Sequence, residues 1–228
     1  MDTRGLSAGR APVFQSDCPG VPGRPGLASP PMPTRPKIAL LDVMSTLVRD
    51  PFYVDIPAFF GMSLARLLEE KDPTAWLDFE HGTIEEEDLF ERFFRDRRRI
   101  DGPGLRSVTF AGYRLLPGIV PLLSELRGAG IEMHALSNYP VWYHEIEART
   151  RLSRFLSWSF VSCDMGHRKP DPSAYLLPLE RLGADPSEVV FVDDNERNVE
   201  AASALGIESI RFTGAEDLRS QLRRLLVL

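Results

Sequence analysis

The sequence predicts an α/β fold: a parallel sheet with helices on both faces, three layers in all, and a small helical cap inserted after the first strand. Three observations carry this. Short apolar runs recur at residues 38–41, 131–136, 160–162, 189–192 and 209–212. Helix-period patterns at residues 117–130, 172–182 and 196–205 alternate with them, which is the signature of right-handed βαβ units. The stretch between Asp42 and residue 131 is too long to be a βα connection and holds helical patterns of its own.

In chain order, Ile38-Ala39-Leu40-Leu41 is continuously apolar and ends in Asp42, as a strand buried on both faces should. Within the insertion, helices are predicted over residues 57–70, 73–80 and 85–99. The last opens on Glu85-Glu86-Glu87-Asp88 and closes on Arg95, Arg97, Arg98 and Arg99, matching the helix dipole and reading as one solvated helix. Further on, Ile119, Val120, Leu122, Leu123 and Leu126 share one helical face, and Gly128 and Gly130 end that helix. Gly183 and Gly206 close the next two. The resulting organisation is a core of residues 37–50 and 116–228, with a cap at 51–115.

Composition narrows the function classes. The 228 residues are 43% apolar and 26% charged, ordinary for a soluble globular chain. Two cysteines, Cys18 and Cys163, supply neither a disulfide framework nor a four-thiolate metal site. No apolar run approaches the roughly 20 residues a membrane helix needs. A net charge of −6 argues against a broad nucleic-acid surface. Neither a membrane nor a nucleic acid is therefore an expected partner, and the chain is expected to be a monomer or homodimer. Residues 1–36 stand apart, holding 8 of the 19 prolines and 5 of the 17 glycines. Such a segment cannot offset its ordering entropy and reads as a disordered tail, or as a start placed upstream of the true one at Met32. The setting is then cytoplasmic; the alternative is a plastid transit peptide, since the segment carries four Arg against Asp2 and Asp17.

Ligands of open parallel sheets bind beyond the carboxyl ends of the strands. The polar residues following the apolar runs there are Asp42, then Ser137-Asn138, then Lys169 after the third run, then Asp193-Asp194. Each has a structural alternative, as cap, loop pair or surface lysine. Together they form a phosphoryl-transfer set. A strand-tip carboxylate attacks phosphorus. Lysine, hydroxyl and carboxylate-held magnesium neutralise the phosphoryl oxygens.

On these residues the chain from Lys37 onward resembles the haloacid dehalogenase-like hydrolase superfamily, in its helical-cap subgroup. Asp42-Val43-Met44-Ser45-Thr46, Ser137, Lys169 within Lys169-Pro170-Asp171-Pro172, and Asp193-Asp194 match its four ordered motifs. The resemblance implies a Rossmann-like core and Asp42 as the nucleophile forming an aspartyl-phosphate. It implies Thr46, Ser137, Asn138 and Lys169 around the phosphoryl group. It also implies Mg2+ held by Asp42, the Met44 backbone carbonyl and Asp194, with Asp193 beside it. The substrate class is a small phosphorylated metabolite.

One position departs from the pattern. Phosphatases of the family carry a second aspartate where this chain has Met44, and such proton transfer is worth about 10²–10⁴-fold in rate. Two alternatives follow: a metal-free 2-haloacid dehalogenase using Asp42, or a weakly active phosphate-binding module. Intact Asp193-Asp194, and the lack of a clear halide-binding arginine in Arg49 or Arg66, favour the phosphatase. Asp42 to Tyr53, together with Ser137-Asn138-Tyr139-Pro140-Val141-Trp142-Tyr143, further resembles the plant plastid flavin mononucleotide hydrolases. Flavin mononucleotide is thus the first substrate expected, with Phe52, Tyr53, Tyr139 and Trp142 as flat partners for its ring.

Overall fold

The computed structural model describes Met1 and residues 35–226, so the expectations for the N-terminal segment fall almost wholly outside the described residues. Five parallel strands form one sheet in the order β3-β2-β1-β4-β5. They are β1 (Ile38–Leu41), β2 (Glu132–Ser137), β3 (Ser157–Val161), β4 (Val189–Asp193) and β5 (Glu208–Arg211). The central three are buried on both faces, and successive side chains feed opposite layers. Ala39, Leu41, Met133, Ala135, Val190 and Val192 enter one cluster. Leu40, Leu136, Val189 and Phe191 enter the other. At the sheet edge, β3 is partly exposed at Ser157, Trp158 and Ser159, which is why only its last residues show as an apolar run.

Between β1 and β2 the chain inserts α1 (Asp55–Phe59), α2 (Leu64–Glu70), α3 (Ala75–Glu80), α4 (Glu86–Arg92) and α5 (Gly102–Gly112), followed by α6 (Ile119–Gly128). After β2 come α7 (Tyr143–Thr150), α8 (Ser162–Met165), α9 (Ser173–Leu182), α10 (Glu196–Ala204) and α11 (Ala215–Leu226). The apolar faces of α6, α7 and α11 cover one side of the sheet. Those of α9 and α10 cover the other. The inserted helices and the sheet cluster as one compact unit, Pro33–Leu228.

Inside the insertion the helices are shorter than the periodicity predicts. The stretch 57–70 breaks at Gly61, whose φ of +62° is left-handed, and α2 restarts under a Ser63 cap donating nothing and accepting from Arg66 N. The helix predicted over 85–99 stops at Arg92. Phe93 and Phe94 turn into the core, and Arg97 adopts a φ of +56°. Arg95, Arg97, Arg98 and Arg99 therefore lie beyond the helix, and the dipole explanation for them is corrected. Arg97 and Arg98 instead pair with Asp72, Glu70 and Asp96. Gly102-Pro103-Gly104 opens α5 because Asp101 caps it and Gly102 sits against the Phe90 ring, where a Cβ would clash.

Candidate active site

The register of β1 against β4 pairs Leu41 with Val192, so Asp42 and Asp193 emerge side by side at the carboxyl edge. Adjacent carboxylates repel unless a cation intervenes. Lys169 intervenes: its Nζ donates to Asp42 Oδ1 at 2.7 Å and to Asp193 Oδ2 at 2.6 Å. Burial opposes the lysine's charge, but the two carboxylates outweigh it and raise its pKa. For Asp42, burial dominates and pushes the pKa up to about 7 against the pull of Lys169, with Asp193 and Asp194 adding to the rise.

Asn138 holds the lysine in place. Its Nδ2 donates to the Lys169 carbonyl and its Oδ1 accepts from the Lys169 N–H, both at 2.8 Å. The asparagine amide thus acts like an extra residue of strand backbone, positioning Lys169 at the sheet edge. Two further hydroxyls, Thr46 Oγ1 and Ser137 Oγ, are buried with no hydrogen-bond partner. An orphaned buried hydroxyl costs about 1–3 kcal/mol, which makes these two candidates for contact with a ligand. Ser45, between Met44 and Thr46, takes a left-handed φ of +61° while its N–H donates to the Val48 carbonyl at 2.7 Å.

Asp42, Asp193 and Asp194 each present an oxygen, all within 4.8 Å of one another. Hard anionic oxygens of this kind suit a divalent cation such as magnesium. Asp193 is already engaged on both oxygens, by Lys169, Asn198 Nδ2 and the Asn195 N–H. Asp194 makes no ion pair with any described residue; burial, and then Asp193, raise its pKa. Asp42 and Asp194 are therefore the carboxylates with capacity for a metal. The turn after Asp42 bonds through the Val43 carbonyl and the Ser45 and Val48 N–H groups, leaving the Met44 carbonyl outside that ladder.

A cavity of about 330 Å³ opens where the inserted helices meet the sheet tips. Met44, Asn138 and Tyr139 line it from the sheet, and Phe52, Tyr53 and Trp76 from the insertion. Tyr139 presents its ring, since its hydroxyl shares a 2.8 Å hydrogen bond with that of Tyr113. Trp142, expected at the substrate, does not line this cavity. Its indole N–H donates to Glu86 Oε1 at 2.6 Å, and its rings pack on Trp76, Phe79 and Phe110, so it wedges the insertion against the sheet.

Four charged lining residues were given no role by the sequence: Asp50, Lys71, Glu80 and Arg168. Arg168 pairs with Glu80 at 3.0 Å, and Ser162 Oγ donates to the Glu80 carbonyl at 2.6 Å, tying α3 to the loop that carries Lys169. Asp50 accepts from the Phe52 N–H at 2.8 Å and has no ion pair among the described residues; burial raises its pKa. Only its neighbourhood to the Met44 segment could have marked it. Arg49 is held by Asp55, and the exposed Arg66 by Glu70, so neither guanidinium stands free for a halide.

Comparison with known proteins agrees with this geometry. A family model for haloacid dehalogenase-like hydrolases matches residues 39–206. The chain is 46% identical over 185 residues to flavin mononucleotide hydrolase 1 of Arabidopsis thaliana, a chloroplast protein, covering 81% of this chain and 76% of the relative. It is 30% identical over 159 residues to a sesquiterpene phosphatase of Aspergillus oryzae, covering 66% and 79% of the two chains. A HAD family enzyme of Bacteroides thetaiotaomicron, solved with magnesium and inorganic phosphate, shares the fold with a TM-score of 0.66 at 21% identity, covering 82% of this chain and 100% of that one. The family model spans well over half of the chain, and together with the 46%-identical relative it makes this chain a member of the haloacid dehalogenase-like hydrolase family.

Proposed function

We propose that this hydrolase is a magnesium-dependent phosphatase of small phosphate monoesters, with flavin mononucleotide the first substrate to test. The observation that carries the reading is the strand-tip carboxylate of Asp42 held by the buried Lys169, together with two orphaned buried hydroxyls, Thr46 in the turn after Asp42 and Ser137 at the end of β2. Asp42 attacks phosphorus, forming an aspartyl-phosphate as the ester oxygen leaves; water then cleaves the acyl phosphate and regenerates the carboxylate. Lys169 neutralises the phosphoryl oxygens, Thr46 and Ser137 donate to them, and Asn138 keeps Lys169 in register. Asp42, Asp194 and the Met44 carbonyl would hold magnesium, with Asp193 anchoring the lysine beside them. When bound, the ion supplies charge neutralisation at the transferring group.

Met44 cannot protonate a leaving alkoxide. Asp50 lines the same cavity, has no ion pair among the described residues, and burial favours its protonated form. Its carboxyl is the proton source we assign to the leaving group. The flavin reading is supported by the kinship with the Arabidopsis enzyme and by the aromatic lining of the cavity. A chloroplast relative also favours a plastid over a cytoplasmic setting, which fusing residues 1–36 to a fluorescent reporter tests. The decisive experiment for activity is a panel of phosphate esters, flavin mononucleotide included, with magnesium or EDTA, on the unmodified chain and on Asp42→Asn. Phosphate release that needs both magnesium and Asp42 supports the reading. Halide release from a 2-haloacid in EDTA would sink it.

A further inference from the structure

The cavity continues from the sheet tips into the inserted helices, where one charged group has no partner. Lys71 ends α2, and its backbone is fixed on both sides: its N–H donates to the Leu67 carbonyl at 2.8 Å, and its carbonyl accepts from Arg95 Nε at 3.1 Å. Its side chain lines the main cavity and the small space behind it, which also touches Phe52 and Trp76. Among the described residues the Lys71 ammonium makes neither a hydrogen bond nor an ion pair. The two acids whose fields reach it are taken elsewhere. Asp72 accepts from the Thr74 and Ala75 N–H groups and pairs with Arg97 at 3.0 Å. Glu80 accepts from the Trp76 indole at 2.6 Å and pairs with Arg168. Half-burial holds the Lys71 pKa below its usual value, with Glu80 and Asp72 partly opposing that.

A half-buried cation that lines an aromatic cavity on the side of the inserted helices, with no partner among the described residues, is arranged to meet an acceptor brought by a ligand. The mouth is built for a large flat group. Tyr53, Leu68 and Leu77 line it and remain 55%, 47% and 37% exposed, and the Tyr53 ring stands edge-on to Phe52 with centroids 5.5 Å apart. We propose that Lys71 determines specificity: its ammonium donates to a carbonyl or ring-nitrogen acceptor on the distal edge of a planar heteroaromatic leaving group. The inference rests on the phosphatase reading for the phosphoryl end of that ligand. It predicts discrimination between esters with such an edge and esters of similar phosphate chemistry without one.

The test compares flavin mononucleotide with p-nitrophenyl phosphate on the full chain, and titrates riboflavin by fluorescence to read ring binding without turnover. In Lys71→Met, the ratio of kcat/KM for the two esters should fall about 10–100-fold in favour of p-nitrophenyl phosphate, the span of one charge-assisted hydrogen bond. Riboflavin affinity should weaken by a similar factor, and Lys71→Arg should recover most of both. An unchanged ratio, an equal loss on both esters, or riboflavin binding that is absent or indifferent to Lys71 overturns the inference. If the unmodified chain hydrolyses neither ester, the phosphatase reading fails separately, and the riboflavin titration still decides the role of Lys71.

Discussion

The side chain of Asn138 and the backbone of Lys169 exchange two hydrogen bonds of equal length, 2.8 Å each. The lysine that touches Asp42 is thus aligned by a residue from the neighbouring strand tip. Asn138→Ala removes both bonds and leaves a Lys169 N–H without its partner, costing about 1–3 kcal/mol of stability. Because sub-ångström misplacement of a catalytic group is expensive, kcat should fall by about 10²-fold while KM changes less. Thermal melts and steady-state kinetics on the purified variant check both halves.

Lys169→Met tests the charge balance itself. Removing the cation that bridges Asp42 and Asp193 leaves two buried acids facing each other, which should cost about 3–5 kcal/mol. For a domain of this size that lowers Tm by about 6–20 °C. Acidification should restore part of it by protonating one carboxyl, so melts at about pH 5 and pH 8 should differ more for the variant than for the parent. A pH-independent deficit would contradict the charge explanation.

The raised pKa of Asp42 makes a prediction about metal and pH together. Between the ordinary value of 3.8 and about 7, the folded metal-free chain holds a proton at this carboxyl that the unfolded chain has lost. Its stability therefore falls as pH rises through that window. A cation bound to the carboxylates competes with that proton, so magnesium should raise Tm more at about pH 8 than at about pH 5. Equal shifts at both pH values would place the metal elsewhere.

Ser45 carries a left-handed φ without being glycine. That conformation costs a side chain about 1–2 kcal/mol, of which glycine's greater unfolded-state freedom returns about 0.5–1. Ser45→Gly should therefore stabilise the chain slightly, by about 0.5–1 kcal/mol, or about 1–4 °C in Tm. A lower Tm would mean that the serine side chain makes a contribution outweighing the strain.

Asp50→Asn separates the proton donor from the rest of the site. An ester with a good leaving group does not need the proton, whereas an alkyl phosphate does. The variant should lose about 10²–10⁴-fold on flavin mononucleotide and far less on p-nitrophenyl phosphate. Parallel losses on both would remove Asp50 from that role.

Much of this molecule was legible from residue order, and the reasons for the gaps are physical. The strands β1 and β4 showed plainly because burial on both faces demands unbroken apolar runs. Half-exposed β3 hid its first residues for the converse reason. Asp42, Lys169 and Asp193 were readable because each follows a strand or sits in a fixed string. Lys71, Glu80 and Arg168 were not, since only the docking of the insertion on the sheet brings them together, and no local pattern records a docking. Trp142 stands one layer back for a related reason: it follows Ser137 in sequence but packs behind Trp76, which lines the cavity. Inside the insertion, Gly61 and the turn at Arg97 overrode helix periodicity through backbone geometry.

The alternation along β1 has a consequence for how the chain can vary. Its four residues place Ala39 and Leu41 in one layer, Leu40 in the other, and Asp42 at the tip. Deleting one of them within the strand would either send the apolar side chains before the gap to the opposite layer or draw the nucleophile away from Lys169. The inserted helices are joined to the sheet by flanking turns and can change in length without moving Asp42. Substrate choice is therefore free to drift with the insertion, while a strand of only four residues acts as the gauge that keeps the chemistry constant.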